Sequence, residues 1–171
     1  PVAYSANYLA GRPSASTWAE EEIGSQKTRL REIVANNATV GRSPDEIIDA
    51  AAAAVPTNAR LAVDAGAHMF SAMSRWPASA PHDVLKSNGL STMGYAVPAA
   101  LASWLEQTDR PAVAITGDGG MMMSLAELST AARLGANLTV IVLNDGALSL
   151  IDIKQQRQQR PPLGVRYSKS D

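Results

Sequence analysis

Apolar and polar positions fall along this chain in two kinds of block. Continuous apolar runs occupy Pro-Ala-Val-Ala-Ile-Thr (111–116) and Leu-Thr-Val-Ile-Val-Leu (138–143), and Arg60–Asp64 and Asp83–Lys86 read as short strands. Runs of this length that do not alternate with polar residues predict strands buried on both faces, as in a parallel sheet. Helical patterns separate them. Ser43 caps the first, Pro44 suits its opening position, Glu46 completes a capping box, and Pro56 stops it after Val55. Further helices are predicted at Ala67–Trp76, at Gly94–Glu106 with small residues able to pack closely on a sheet, and from about Leu148 to Gln159. Ser124 and Glu127 predict a second capping box for a helix from Ser124 to Leu134, with Gly135 at its exit.

Strands that alternate with helices predict an α/β fold, a doubly wound parallel sheet, and the unit from 111 to 143 should be a right-handed β–α–β crossover. Trp18–Ile33 reads as a charged surface helix, residues 12–17 as a loop and residues 36–42 as a polar connector. The domain division expected is 1–42 as the tail of a preceding domain with a linker, and 43–171 as the sheet domain, with 160–171 an exposed loop. Four strands followed by a loop leave the sheet incomplete at the C-terminus.

Composition narrows the function. The 171 residues carry a formal net charge of −1 and no cysteine. Disulfides and thiolate metal sites are excluded, and spread positive charge argues against nucleic acid as the main partner. The longest wholly apolar run, 50–56, is far shorter than the ~20 residues of a membrane span. With no signal-peptide layout, a cytoplasmic protein is expected and no membrane partner, although Asn37-Ala-Thr and Asn137-Leu-Thr match the glycosylation pattern.

Candidate chemistry sits directly after the two long strands: Gly117-Asp118-Gly119, then Asn144-Asp145-Gly146, the two aspartates 27 positions apart. Two carboxylates at strand ends among glycines suit a hard divalent cation and a phosphate-bearing ligand, with Gly119 and Gly120 permitting close backbone approach. The same residues are also what ordinary turns use. His68 alone reads as a helix-start histidine, Met93 as core filler, Glu127 as a capping residue, His82 as a loop residue, Met121-Met122-Met123 as flexible core packing, and Lys154, Arg157 and Arg160 as a solvated face.

Gly117-Asp118-Gly119 with Asn144-Asp145 at this spacing resembles the thiamine-diphosphate signature. Two further stretches agree in order: Ser87-Asn88-Gly89-Leu90-Ser91-Thr92-Met93-Gly94-Tyr95-Ala96-Val97-Pro98-Ala99-Ala100, and Val63-Asp64-Ala65-Gly66-Ala67-His68. Together they are similar to the diphosphate-binding domain of the acetolactate synthase/benzoylformate decarboxylase group. The resemblance implies that the Asp118 and Asp145 side chains and the Ala147 carbonyl hold Mg²⁺, and that Gly119, Gly120 and His68 meet the diphosphate. It places Met93 as the apolar wedge that bends the cofactor, and the Ser91 carbonyl as acceptor for the cofactor's 4′-amino group. Leu150 and Ile151, following the metal-binding turn, are the substrate-side positions. The sequence departs from the family at Asn88 and Ser91, which replace glycines, at Ala67, which replaces a glutamine, and at Asp145, which replaces an asparagine.

The resemblance further implies thiamine-diphosphate- and Mg²⁺-dependent decarboxylation of a 2-oxo acid, the resulting enamine passing to an acceptor, as in acetolactate synthase. A simple decarboxylase of the benzoylformate decarboxylase type and a non-catalytic phosphate- or cofactor-binding module are the alternatives. The family's activating glutamate lies on a pyrimidine-binding domain of a second subunit, so a homodimer or homotetramer is expected. No such domain is found here. The chain is therefore expected to be a piece of a larger enzyme and, by itself, inactive.

Overall fold

The computed structural model describes residues 18–33, 35 and 41–167. The expected loop at 12–17, most of the connector at 36–40 with its Asn37 sequon, and residues 168–171 lie outside them. The chain divides into two compact units, 1–33 and 34–171. In the first, helix α1 (Glu20–Ile33) opens on three glutamates, carries Arg31 in its last turn and buries no residue, as a charged surface helix should.

The second unit runs α2 (Pro44–Ala54), β1 (Arg60–Val63), α3 (His68–Arg75), β2 (Val84–Lys86), α4 (Ala96–Glu106), β3 (Ala112–Gly117), α5 (Asp118–Ser124), α6 (Glu127–Leu134), β4 (Leu138–Leu143) and α7 (Ser149–Arg157). The strands form one sheet in the order β2-β1-β3-β4, and every pairing is parallel. Its two faces bury different side chains. Leu61, Val63, Val113 and Ile115 point to the face covered by Ile48 of α2 and Ala72 of α3. Each aliphatic side chain buried there contributes roughly 1.5–3 kcal/mol. Ala62, Ala112 and Ala114 point to the other face, where Val97, Ala100 and Leu101 of α4, Met121 of α5 and Ala131 of α6 pack. Small residues on that face let α4 lie close to the sheet. Helices on both faces make the sheet doubly wound, as the alternation of blocks predicts.

The capping box of α2 is present: the Glu46 amide donates to Ser43 Oγ at 3.2 Å, and the Ser43 amide donates to Glu46 Oε2 at 2.8 Å. Gly135 exits α6 in the left-handed conformation with φ 64°. The second expected capping box does not exist. The chain becomes helical directly after β3, and Ser124 ends that helix with its hydroxyl donated to the Gly120 carbonyl at 3.3 Å. The cap position of α6 belongs to Ala126, with no side-chain bond. A serine whose hydroxyl serves its own preceding turn is unavailable as a cap.

Three more expectations change. Of the three consecutive methionines only Met121 is core; Met122 and Met123 are exposed, because one face of so short a helix meets the sheet. Strand β4 is half-exposed rather than buried, since it is paired on one side only. Residues 160–167 are not a simple exposed loop. Leu163 is exposed, but Val165 is buried, Leu148 N–H donates to its carbonyl at 2.7 Å, and Tyr167 N–H donates to the Gly146 carbonyl at 2.8 Å. Arg166 pairs with Asp152 of α7 at 3.0 Å. This terminal segment folds back across the turn that follows β4. No helix among the described residues is long and apolar enough to cross a membrane.

Candidate functional site

In a parallel sheet, the carboxyl ends of adjacent strands open a crevice suited to ligands. Here β3 and β4 end side by side, with Gly117 opposite Leu143. Asp118 is the first residue beyond β3. Its Oδ1 accepts from the Gly119 amide at 2.9 Å, and its Oδ2 reaches the next turn to accept from the Gly146 amide at 3.0 Å. The two glycine-aspartate clusters are thus joined by a hydrogen bond between residues 28 positions apart. Asn144 Oδ1 also accepts from the Gly146 amide, at 3.2 Å. Asp145 is exposed and turned toward its own loop, accepting from the Ala147 amide at 3.3 Å and from the Ser149 hydroxyl. Gly146 takes φ 67°, a conformation glycine adopts without strain.

His68, the first residue of α3, lines this crevice next to the end of β1. A Cβ at Gly66 would meet its Cε1 at 2.5 Å and its Nδ1 at 2.7 Å, and one at Gly117 would meet the same ring at 3.5 Å. The imidazole therefore lies on the backbone of both glycines. It is buried, and its Nε2 has no hydrogen-bond partner. Burial holds its pKa below the ordinary 6.5, against the opposing pull of Asp64, Asp145, Asp118 and a hydrogen bond to the Asp64 backbone. Protonation of His68 thus favours the unfolded chain. As pH falls below 6.5 the unfolded histidine takes up a proton that the folded one refuses, so stability declines. His68→Gln is expected to flatten the dependence of the melting temperature on pH between about 6.5 and 5.5 relative to the wild type. Parallel curves for the two proteins would contradict this.

The third wall comes from the segment between β2 and α4. Ser91 has φ 50° and Gly94 φ 73°, and Met93 lies between them. A Cβ at Gly119 would lie 3.1 Å from Met93 Cε, 2.8 Å from Leu148 Cδ2 and 2.5 Å from the Tyr167 hydroxyl. Gly119 is therefore the bare floor of a cradle whose sides are Met93, Leu148 and Tyr167.

All ten positions nominated from the sequence line one cavity of about 540 Å³: His68, Ser91, Met93, Asp118, Gly119, Gly120, Asp145, Ala147, Leu150 and Ile151. Among its lining residues Arg42 carries the one fixed positive charge, 3.6 Å from Glu46. Arg42, in the polar connector, and Tyr167, in the expected terminal loop, are not among the positions that the sequence nominates. Desolvation, with the charges of Asp118 and Asp145, raises the pKa of Tyr167 above its ordinary value.

The donor set fits a metal-diphosphate group. An unpartnered buried imidazole nitrogen and a floor without side chains suit phosphate oxygens. Among the described residues no three His, Cys, Asp or Glu side chains converge as a metal cluster. Two carboxylates would leave most positions of a hard cation to backbone, water and phosphate oxygens, which is how Mg²⁺ is commonly held. The 146–148 turn is tied to the terminal segment through the Gly146 carbonyl, which accepts from the Tyr167 amide, and the Leu148 amide, which donates to the Val165 carbonyl.

Comparison with known proteins agrees with this geometry. Residues 64–171 match the family described as thiamine pyrophosphate enzyme, C-terminal TPP binding domain, thiamine pyrophosphate being thiamine diphosphate. The acetolactate synthase isozyme 1 large subunit of Escherichia coli (strain K12) is 36% identical over 109 residues, which are 64% of this chain and 19% of that protein. The catabolic acetolactate synthase of Raoultella terrigena is 35% identical over 129 residues, 75% of this chain and 23% of that protein. The chain thus spans about a fifth of the length of these curated relatives. Among solved structures, the thiamine diphosphate-dependent 4-hydroxybenzoylformate decarboxylase of Rhodococcus jostii RHA1 shares the fold. It superposes with a TM-score of 0.70 at 20% identity, over 80% of this chain and 26% of that one.

Proposed function

The chain belongs to the thiamine pyrophosphate enzymes, whose C-terminal TPP-binding domain it carries, and from that premise we propose that it holds thiamine diphosphate and Mg²⁺ for the decarboxylation of a 2-oxo acid and transfer of the product fragment to an acceptor. The observation that carries this reading is the convergence of all ten nominated residues on one cavity at the carboxyl ends of β3 and β4. In it, the Asp118 and Asp145 carboxylates and the Ala147 carbonyl hold the cation. The Gly119–Gly120 backbone and His68 Nε2 meet the diphosphate. Met93 would pack against the cofactor, and the Ser91 carbonyl would accept from its 4′-amino group. Leu150 and Ile151 face the substrate.

When bound, thiamine diphosphate supplies a carbon nucleophile and an electron sink. The protein's share is to grip the diphosphate, set the angle between the two rings and keep a dry pocket. Asp145 would add negative charge beside the cation. The remaining part of the site, the group that activates the aminopyrimidine, is assigned to the pyrimidine-binding domain of a second subunit in a homodimer or homotetramer. The exposed Met122 and Met123 of α5, Leu125 just beyond it and Leu128 of α6 are the kind of surface such a domain would cover.

The test is product analysis of the full-length protein supplied with thiamine diphosphate, Mg²⁺ and pyruvate. Release of CO₂ with acetolactate is the expected result. Release of CO₂ with only the free aldehyde would leave simple decarboxylation. Cofactor binding without turnover of pyruvate, or of other 2-oxo acids supplied in its place, would reduce the chain to a binding module.

A further inference from the structure

Asp64 has no assigned role, yet it is the most heavily bonded carboxylate among the described residues. It is 1% exposed, at the end of β1. Oδ1 accepts from the Tyr95 amide at 2.6 Å and the Ala96 amide at 3.0 Å, while Oδ2 accepts from the Gly94 amide at 3.1 Å and the Thr116 hydroxyl at 2.6 Å. Three of these donors are successive amides at the start of α4. That helix has no side-chain cap of its own, Tyr95 standing at the cap position. An aspartate 30 positions earlier in the chain performs the task, and a carboxylate suits the positive end of the helix.

The same carboxylate touches the other half of the site. A Cβ at Gly120 would collide with Asp64 Oδ2 and lie 2.6 Å from Thr116 Oγ1. On one side, then, Asp64 abuts the glycine backbone proposed to meet the diphosphate. On the other it anchors the end of the 91–94 segment, where two positive-φ residues flank Met93. A Cβ at Gly94 would be 2.9 Å from Met123 Cβ, so the anchored end also has no room to slide.

We infer that Asp64, with Thr116, is a positioning residue: it fixes the distance between the Met93–Ser91 wedge and the Gly119–Gly120 floor, and so sets the bend of the bound cofactor rather than its affinity. This rests on the thiamine-diphosphate reading of the cavity. A buried carboxylate suits this purpose because it engages four donors from two elements at once; losing any of them leaves a charged acceptor underserved in a dry environment.

The experiment compares wild type, Asp64→Asn, Thr116→Val and Thr116→Ser in the full-length protein. Thiamine diphosphate with Mg²⁺ is titrated calorimetrically, and hydrogen–deuterium exchange at C2 of the bound cofactor is followed by quench and proton NMR. In Asp64→Asn, the new amide NH₂ opposes the donors at Gly94 or at Tyr95 and Ala96. Its C2 exchange is expected to fall about 10- to 100-fold, as for a misplacement near 1 Å. Its cofactor affinity should stay within about 3-fold of wild type, since the ground-state grip is intact. Thr116→Val should show a smaller fall in exchange, and Thr116→Ser, which keeps the hydroxyl, should restore the wild-type rate. Should Asp64→Asn not fold, the Thr116→Val and Thr116→Ser pair decides alone. Unchanged exchange in the variants, or exchange and affinity lost in proportion, overturns the inference. A wild-type protein that binds no cofactor in the same titration overturns the functional reading beneath it, a separate and distinguishable result.

Discussion

Asp118→Ala should reduce the affinity of the full-length protein for thiamine diphosphate with Mg²⁺ by more than about 100-fold, since even outer partners of a metal site cost 10- to 100-fold. The substitution removes more than a proposed ligand. Asp118 is the acceptor for the Gly119 and Gly146 amides, at 2.9 and 3.0 Å, and so joins the ends of β3 and β4. The turn that carries Asp145 and Ala147 loses its tie to β3, and every proposed protein contact to the cation is affected together. Calorimetric titration of both proteins measures the loss, and Asp118→Asn separates its causes. Asparagine can still accept from one amide but supplies no charge, so its affinity should remain far below wild type. Tight binding by Asp118→Ala would remove this residue from the metal site.

Gly120→Ala should destabilise the protein by about 2–3 kcal/mol, the cost of overpacking a well-filled interior. The sign runs against helix propensity. Gly120 is inside α5, and alanine in a helix interior ordinarily gains about 1 kcal/mol over glycine. The new Cβ, however, meets Asp64 Oδ2 and sits 2.6 Å from Thr116 Oγ1. Neither can withdraw: the carboxylate is held by four donors and the hydroxyl by the carboxylate. Chemical denaturation followed by tryptophan fluorescence is a suitable measurement, because Trp76 and Trp104 are buried on opposite faces of the sheet. A stabilised Gly120→Ala variant would show that the contact is relieved at little cost, and would weaken the case for Asp64 as a fixed anchor.

Those two glycine–aspartate relations mark where local reading stops. Strands β1 to β4 lie within one residue of the segments read as strands; β3 is the plainest case, because a strand buried on both faces needs apolar residues without interruption. Ser43, Pro44 and Glu46 mark a helix start because a capping box is satisfied within four residues. Ser124 and Glu127 have the same local form and fail, since the glycines before them are helical. Gly119 and Gly120 read as turn residues on propensity, yet they are helical, and Asp64, Leu148 and Tyr167 leave no space for side chains there. Likewise, nothing within the 160–167 stretch signals that Val165 is buried or that Tyr167 reaches Gly119. Val165 is paired with Leu148 and the Tyr167 amide with Gly146 in the turn after β4, while the Tyr167 hydroxyl lies against Gly119 beyond the end of β3.

By itself the sequence determined the alternation of strands and helices, the doubly wound class, and the positions at strand ends where charged and glycine residues gather. These follow from periodicity and from short-range capping, which operate over a few residues. Only the tertiary structure decided that Asp118 bonds to Gly146, that His68 is buried with an unpartnered nitrogen and a lowered pKa, and that Asp64 joins two walls of the cavity. The physical reason is that desolvation and hydrogen-bond geometry depend on what approaches in space. The approaching groups here are 28, 30 and 52 positions apart in the chain.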